Sequence, residues 1–318
     1  CVVNIEAVMV AYLRQKYGVR KIAIVDTDVH HGDGTQDIFY HDPDTLYISF
    51  HQDGRTLYPG SGFPNDAGSP AALGTNINLP LLPGTGDEGV HRLFDGIIRP
   101  ILDDFEPEII INSAGQDNHF SDPLASMSVT AQGYARLADK LKADIAVLEG
   151  GYSVEAALPY VNTGIILAMA ELDYSNVIEP DQTGLRKQDG KCNARVDELI
   201  RQIGDLWTNR QKLSSEALAK CGESWSRRKN IYYDEEGISE EQVETAHYCK
   251  QCNGYLTIQT AAENTRFGSQ NAFIAIIDDF TCLGCRQKAY DEARKEKKTG
   301  KWQYVFVQNK TNGNIESI

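Results

Sequence analysis

The 318-residue sequence predicts an α/β fold, a doubly wound and mostly parallel sheet followed by a small C-terminal domain of zinc-ribbon type. Three observations carry this expectation. Short apolar runs alternate with segments of helical periodicity from residue 2 to residue 172. Polar clusters at 26–31, 116–119 and 149–152 each follow an apolar run, where open parallel sheets gather their ligands. Four of the seven cysteines stand in two C-x-x-C pairs beyond residue 247.

Taken in order, residues 2–17 have apolar side chains at helical spacing and stop at Gly18. Runs 21–25 and 45–50 read as strands, with a short helix at 34–40 between them. Residues 53–89 are rich in glycine and proline, with only 75–79 strand-like. So long a loop beside a polar strand end reads as functional, a wall for a substrate channel. A helix over 87–102, a strand at 108–112, a helix at 130–141, a strand at 144–148 and a helix at 154–172 complete the series, and the first domain is drawn at 1–178. Residues 179–246 read as linker and helical segment: 174–190 is polar with one proline and two glycines, 195–220 is helical in period, and a charged stretch follows. Residues 247–318 form the cysteine-bearing domain, with strands at 255–259, 272–277 and 302–308.

Forty-five acidic against 31 basic residues leave a net charge of −14, which disfavours direct nucleic-acid binding and favours cationic substrates. No apolar run reaches membrane-spanning length, so no membrane association is expected. The cysteine pattern suits a reducing, cytoplasmic setting better than a secreted disulfide frame.

The chemistry concentrates in the run D-T-D-V-H-H-G-D-G-T-Q that starts at Asp26. On an extended strand Asp26, Asp28 and His30 would project to one side. Two carboxylates and an imidazole on one face are costly to bury unless something positive lies between them, and this mixed set suits a divalent metal such as zinc. The bland alternative is a strand end with capping acids and a satisfied histidine. His31 reads as a packed structural histidine, and His51 and His91 as surface or packing residues. His119 is a loop-capping residue before it is a ligand to a second metal.

That run resembles the zinc-dependent histone deacetylase superfamily, with its acetylpolyamine and acetoin-utilisation members, and the class II-like branch above all. Further stretches agree in order: Cys1-Val2-Val3-Asn4, Tyr58-Pro59-Gly60-Ser61-Gly62, Ser113-Ala114-Gly115-Gln116-Asp117, Asp122-Pro123-Leu124 and Leu148-Glu149-Gly150-Gly151-Tyr152. The likeness covers about residues 1–172. It implies an arginase/deacetylase-like sheet, zinc on Asp28, His30 and Asp117, and Tyr152 as hydrogen-bond donor to the developing oxyanion. It also implies a substrate channel lined by Tyr58, Gly150 and Gly151, and a monovalent cation such as potassium near Asp26, Asp28, His30, Ser49 and Phe50. The substrate would be an acetylated lysine or a small acetylated amine. In the family the aspartate at the Asp26 position orients a general-base histidine from a His-His pair upstream of the C-x-x-N segment. Residue 1 enters that segment in mid-motif, so the native N-terminus and the base are expected upstream, and this polypeptide alone is expected to be weakly active or inactive.

Cys249, Cys252, Cys282 and Cys285 form C-x2-C-x29-C-x2-C, a pattern for one structural zinc, with an inserted hairpin and a protein partner as its further implications. A redox dithiol or free buried cysteines are the alternatives. Two other functions stay open: a two-manganese ureohydrolase, for which Gly32 and His119 stand where carboxylates are wanted, and a non-catalytic acyl-lysine-binding module, which would gain little from Tyr152.

Overall fold

The computed structural model describes residues 3–233, 236–266 and 268–318; Cys1 and Val2 of the C-V-V-N segment lie outside the described residues. Two compact units form, one mainly from residues 19–68 and 72–213, the other mainly from 214–318.

Helix α1 (Ile5–Tyr17), of which residues 5–10 belong to the first unit, starts where the Asn4 side chain accepts the Ala7 N–H at 2.7 Å, and it ends at Gly18. Strands β1 (Ile22–Asp26), β2 (Thr45–Gln52), β3 (Asn76–Leu81), β4 (Ile109–Ala114) and β5 (Ile145–Leu148) form one sheet of order β3-β2-β1-β4-β5, parallel throughout. β1, β2 and β3 are buried along their whole length, as a parallel sheet covered on both faces requires. The chain lays down β1, β2 and β3 outward, then returns to the far side of β1 for β4 and β5. β1 and β4 therefore flank the point where the strand order reverses, and their carboxyl ends open a crevice.

Helices α2 (Asp33–Phe39), α3 (Asp87–Leu93), α4 (Arg99–Phe105) and α5 (Ala131–Leu141) connect the strands, and α6 (Leu158–Met169) follows the last of them. The single helix expected at 87–102 is α3 and α4 joined without a break by a π turn over Phe94–Ile98, with Pro100 just beyond that turn. α6 begins later than expected, with Pro159 in its first turn. α7 (Gly190–Cys221) buries Cys192, Val196, Leu199, Ile203 and Trp207, and the last four join the core of this unit. The segment read as linker, 174–190, is tied down as well. Val177 and Glu179 are buried, and the Gln188 side chain accepts the N–H groups of Gly86 and Gly89 at 2.8 and 3.1 Å. Anchors of this kind, single residues without a period, leave no pattern in a sequence.

The second unit is a sheet of order β11-β10-β9-β8-β7-β6, built from β6 (Ser224–Tyr233), β7 (Ile238–His247), β8 (Tyr255–Asn264), β9 (Gly268–Ile277), β10 (Tyr304–Asn309) and β11 (Asn314–Ser317). β6 to β9 run antiparallel, whereas β10 lies parallel to β9 after the crossover helix α8 (Leu283–Thr299). Its core is Phe273, Ala275 and Ile277 of β9, Ala289 and Ala293 of α8, and Val305 and Val307 of β10. The small cysteine-bearing domain is thus a larger sheet than expected, and the charged stretch before 246 supplies β6 and β7. Their ladder is held partly by charge, with Glu244 bridging Arg227 and Lys229 at 2.5 and 3.0 Å, so no apolar alternation marks it. α8 escapes the sequence reading because its buried stripe is only Cys285, Ala289 and Ala293. Among the described residues, no helix is long and apolar enough to cross a membrane.

Candidate metal centre

The polar ends of β1, β4 and β5 meet at the crevice. β1 stops at Asp26, and the chain bends through residues 28–30 instead of continuing as strand. This corrects the expectation that strand alternation brings Asp26, Asp28 and His30 to one side. Asp26 is buried, accepting the Tyr47 hydroxyl at 2.7 Å and the Asp28 N–H at 3.1 Å. Burial, then the charge of Asp28, pushes its carboxyl well above the usual range. Asp26 thereby braces the bend. The neighbouring strand end is pinned by Asn112, whose amide donates to the Val25 carbonyl at 2.9 Å, and by Asn118, which donates to the Thr27 carbonyl at 2.9 Å.

The bend brings Asp28 and His30 onto Asp117, which follows β4. His30 Nδ1 lies 3.0 Å from Asp28 Oδ1 and 3.1 Å from Asp117 Oδ2, and one ligand atom from each residue falls within 4.8 Å of the others. Tetrahedral bonds of ~2.0–2.1 Å would put ligand atoms about 3.3 Å apart, so the three donors have the spacing of ligands that share one small ion. The remaining oxygens are aimed by the backbone: Val29 N–H donates to Asp117 Oδ1, and Gly150 N–H to Asp28 Oδ2, both at 2.8 Å. Burial pushes the Asp117 carboxyl up to about 6, while hydrogen bonds to Asp117 and then Asp28 draw the His30 imidazole up to about 10. Both shifts express one demand, a positive charge among the acids. A divalent metal satisfies it with donors that are already aimed.

The loop after β5 closes the centre. A methyl group at Gly150 would collide with Asp117 Oδ2 and lie 2.6 Å from Asp28 Oδ2, so only glycine lets this backbone reach the ligands. Gly115 is equally confined, against the Asp28 backbone and carboxylate. A side chain at Gly151 would meet Gln116 and Leu158. Tyr152 is held by its backbone N–H, which donates to Asp122 Oδ2 at 2.8 Å. Ser153 continues the anchoring through Ser121 Oγ at 2.8 Å, and Ser121 meets His119 Nδ1 at 2.9 Å. The Tyr152 side chain is about half exposed, 48 %, and its phenol is raised by burial and by the charges of Asp117 and Asp28.

His119 is fully buried; its Nδ1 pairs with Ser121, which ties it into the loop, and its Nε2 lies 3.5 Å from the Glu179 carboxylate. His31 packs between Ser61 and Gln36, and His51 between Ser49 and the Gly62 carbonyl. Ser49 pairs in register with Asp26, and Phe50 is buried beside it on β2. Tyr58 stands 74 % exposed. Asn112 was not singled out from sequence; Asn118 lies inside the 116–119 cluster and Asp122 opens the Asp122-Pro123-Leu124 stretch, but their contacts to Thr27 and to Tyr152 come from segments far apart in the chain.

Residues 1–167 match the histone deacetylase domain. The chain is 50% identical over 223 residues to a probable deacetylase of Archaeoglobus fulgidus, covering 65% of this chain and 61% of that protein. It is 41% identical over 165 residues to the chloroplastic histone deacetylase 14 of Arabidopsis thaliana, covering 49% and 38%. It is 36% identical over 190 residues to the acetoin utilization protein AcuC of Bacillus subtilis, covering 57% and 49%. The chain thus spans less than two thirds of the length of each of these relatives. The crystal structure of the HDA15 HD domain superposes with a TM-score of 0.56 at 30% identity, over 67% of this chain and 58% of that one.

Proposed function

This chain belongs to the histone deacetylase domain family, and on that premise we propose that it is the metal-bearing part of a zinc-dependent amidohydrolase that removes an acetyl group from a lysine side chain or a small acetylated amine. The observation that carries the reading is the convergence of Asp28, His30 and Asp117 at ligand spacing beneath the Gly150–Tyr152 loop. Asp28, His30 and Asp117 would hold the zinc, which when bound would supply Lewis acidity toward the amide carbonyl and toward a water near neutral pH. Three protein donors leave a coordination position open, the arrangement hydrolysis requires.

The chain's own residues do the rest. One oxygen of Asp117 is fixed by the Val29 N–H and one of Asp28 by the Gly150 N–H, so the acceptors need no reorganisation. Asp26 holds the bend that presents Asp28 and His30. Tyr152 donates its phenolic hydrogen to the oxygen that gains negative charge, and Asp122 fixes the backbone from which it reaches. Gly150 and Gly151 would let an acyl group approach closely, and Tyr58 would line the channel that admits it. A potassium ion near the backbone of Asp26, Asp28, His30, Ser49 and Phe50 would offset the carboxylate charge behind the centre.

The test is metal content together with hydrolysis of an acetyl-lysine peptide and an acetylated diamine by the native protein. Asp117→Asn is expected to lose the metal and the turnover together. Tyr152→Phe is expected to keep the metal and lose roughly 10²–10³-fold in kcat. Two manganese ions bound at this centre, or unchanged metal content in Asp117→Asn, would overturn the reading.

A further inference from the structure

We infer that Cys249, Cys252, Cys282 and Cys285 form a second metal site, a closed tetrathiolate that holds one zinc ion and clasps the β7–β8 turn to the start of α8. The cysteines arrive from two places far apart in the chain, one pair in the turn after β7 and the other where β9 gives way to α8. Their sulfurs nevertheless all lie within 4.8 Å of one another, and Cys249 Sγ to Cys282 Sγ is 4.0 Å. Zinc–thiolate bonds of 2.3 Å in a tetrahedron put sulfurs about 3.8 Å apart, close to the spacing here. A disulfide would need about 2.05 Å, and all four thiols are free. An iron–sulfur cluster inserts its own metal–sulfide framework between the thiolates, and so holds them farther apart than one shared ion does.

The surroundings are those of thiolates built into a knuckle. Gln251 N–H donates to Cys249 Sγ at 3.4 Å, and Gly254 N–H to Cys252 Sγ at 3.3 Å. Gly254 adopts φ +79, and a side chain there would run into the His247 carbonyl, so the turn that delivers the first pair requires glycine. Cys282 is the N-cap of α8 and Cys285 lies in its first turn, where the helix dipole favours negative charge. Thr281 joins the two turns, its hydroxyl 3.3 Å from the Gly254 carbonyl. Four protein donors fill the coordination shell and leave no position for substrate, so the site is structural. The core of this unit is small and partly alanine, which is the circumstance in which a metal staple contributes most to folding.

This inference is independent of the reading of the Asp28–His30–Asp117 centre, and the two fail separately because only one of them has sulfur donors. The full chain is purified, its zinc counted, and cobalt(II) then exchanged in. The expected result is thiolate-to-cobalt charge-transfer absorption with the intense visible bands of a tetrahedral ion. One equivalent of zinc should survive Asp28→Asn with Asp117→Asn, and that equivalent should be lost in Cys249→Ser with Cys282→Ser. Should those serine variants fail to fold, titration of the wild-type chain with a mercurial supplies the same answer, with one zinc released as four thiols react. Absence of the charge-transfer band, a Cys249–Cys252 or Cys282–Cys285 disulfide in the purified protein, or iron in place of zinc would overturn the assignment.

Discussion

Asp28, His30 and Asp117 are inseparable from the glycine packed on them. Gly150→Ala puts a methyl group against two ligand carboxylates, so the loop or the ligands must move. The expected result is loss of metal from the first unit with little loss of secondary structure, read by metal analysis beside circular dichroism. His91 answers to pH instead. It is buried on α3, neither ring nitrogen has a hydrogen-bond partner, and burial followed by the charges of Lys140 and Arg136 lowers it to about 4. The unfolded chain, with an ordinary pKa near 6.5, binds the extra proton first as pH falls. His91 therefore leaves stability at its full value above pH ~6.5 and erodes it between there and about pH 4. Denaturant titrations across that window should give a flatter profile for His91→Leu than for the wild type; parallel profiles would exclude this histidine as the source.

At the scale of elements, α7 joins the first core through Val196, Leu199, Ile203 and Trp207. Leu199 is fully buried, so Leu199→Ala should cost about 2–5 kcal/mol, measured as a lower denaturation midpoint at unchanged slope. Thr130 caps α5 by accepting the Gly133 N–H at 3.0 Å, and its hydroxyl also meets Asp87 at 2.7 Å. Thr130→Ala should cost about 1 kcal/mol or somewhat more, because Asp87 loses a partner with the cap. These elements were legible because apolar residues mark them: β1 and β5 are short apolar runs, β2, β3 and β4 carry apolar residues through most of their length, and α5 and α7 carry stripes. β6, β7 and α8 were not, since a ladder held by Arg227, Lys229 and Glu244 and a helix buried on cysteine and alanine lack apolar contrast.

For the molecule as a whole, two compact units with separate cores imply two separable responses to metal loss. A thiol-reactive mercurial should raise amide exchange in the β7–β8 turn and at the start of α8, and leave β1, β2 and β4 protected; hydrogen-exchange mass spectrometry reads both regions at once. Uniform loss of protection would mean that the chain unfolds as one cooperative body. Alone, the sequence determined the alternation of strand and helix, the clusters at strand ends and both groups of metal-binding residue types, because apolar period and residue chemistry are local properties. The tertiary structure alone decided that Asp28 and His30 converge by a bend, that Gly115, Asn118 and Asp122 frame the centre, and that the second cysteine pair opens a helix. The framing of the centre is a set of contacts between segments distant along the chain, which exist only once the strand order has been chosen, and the bend is held by such contacts, Val29 to Asp117 and Asp28 to Gly150.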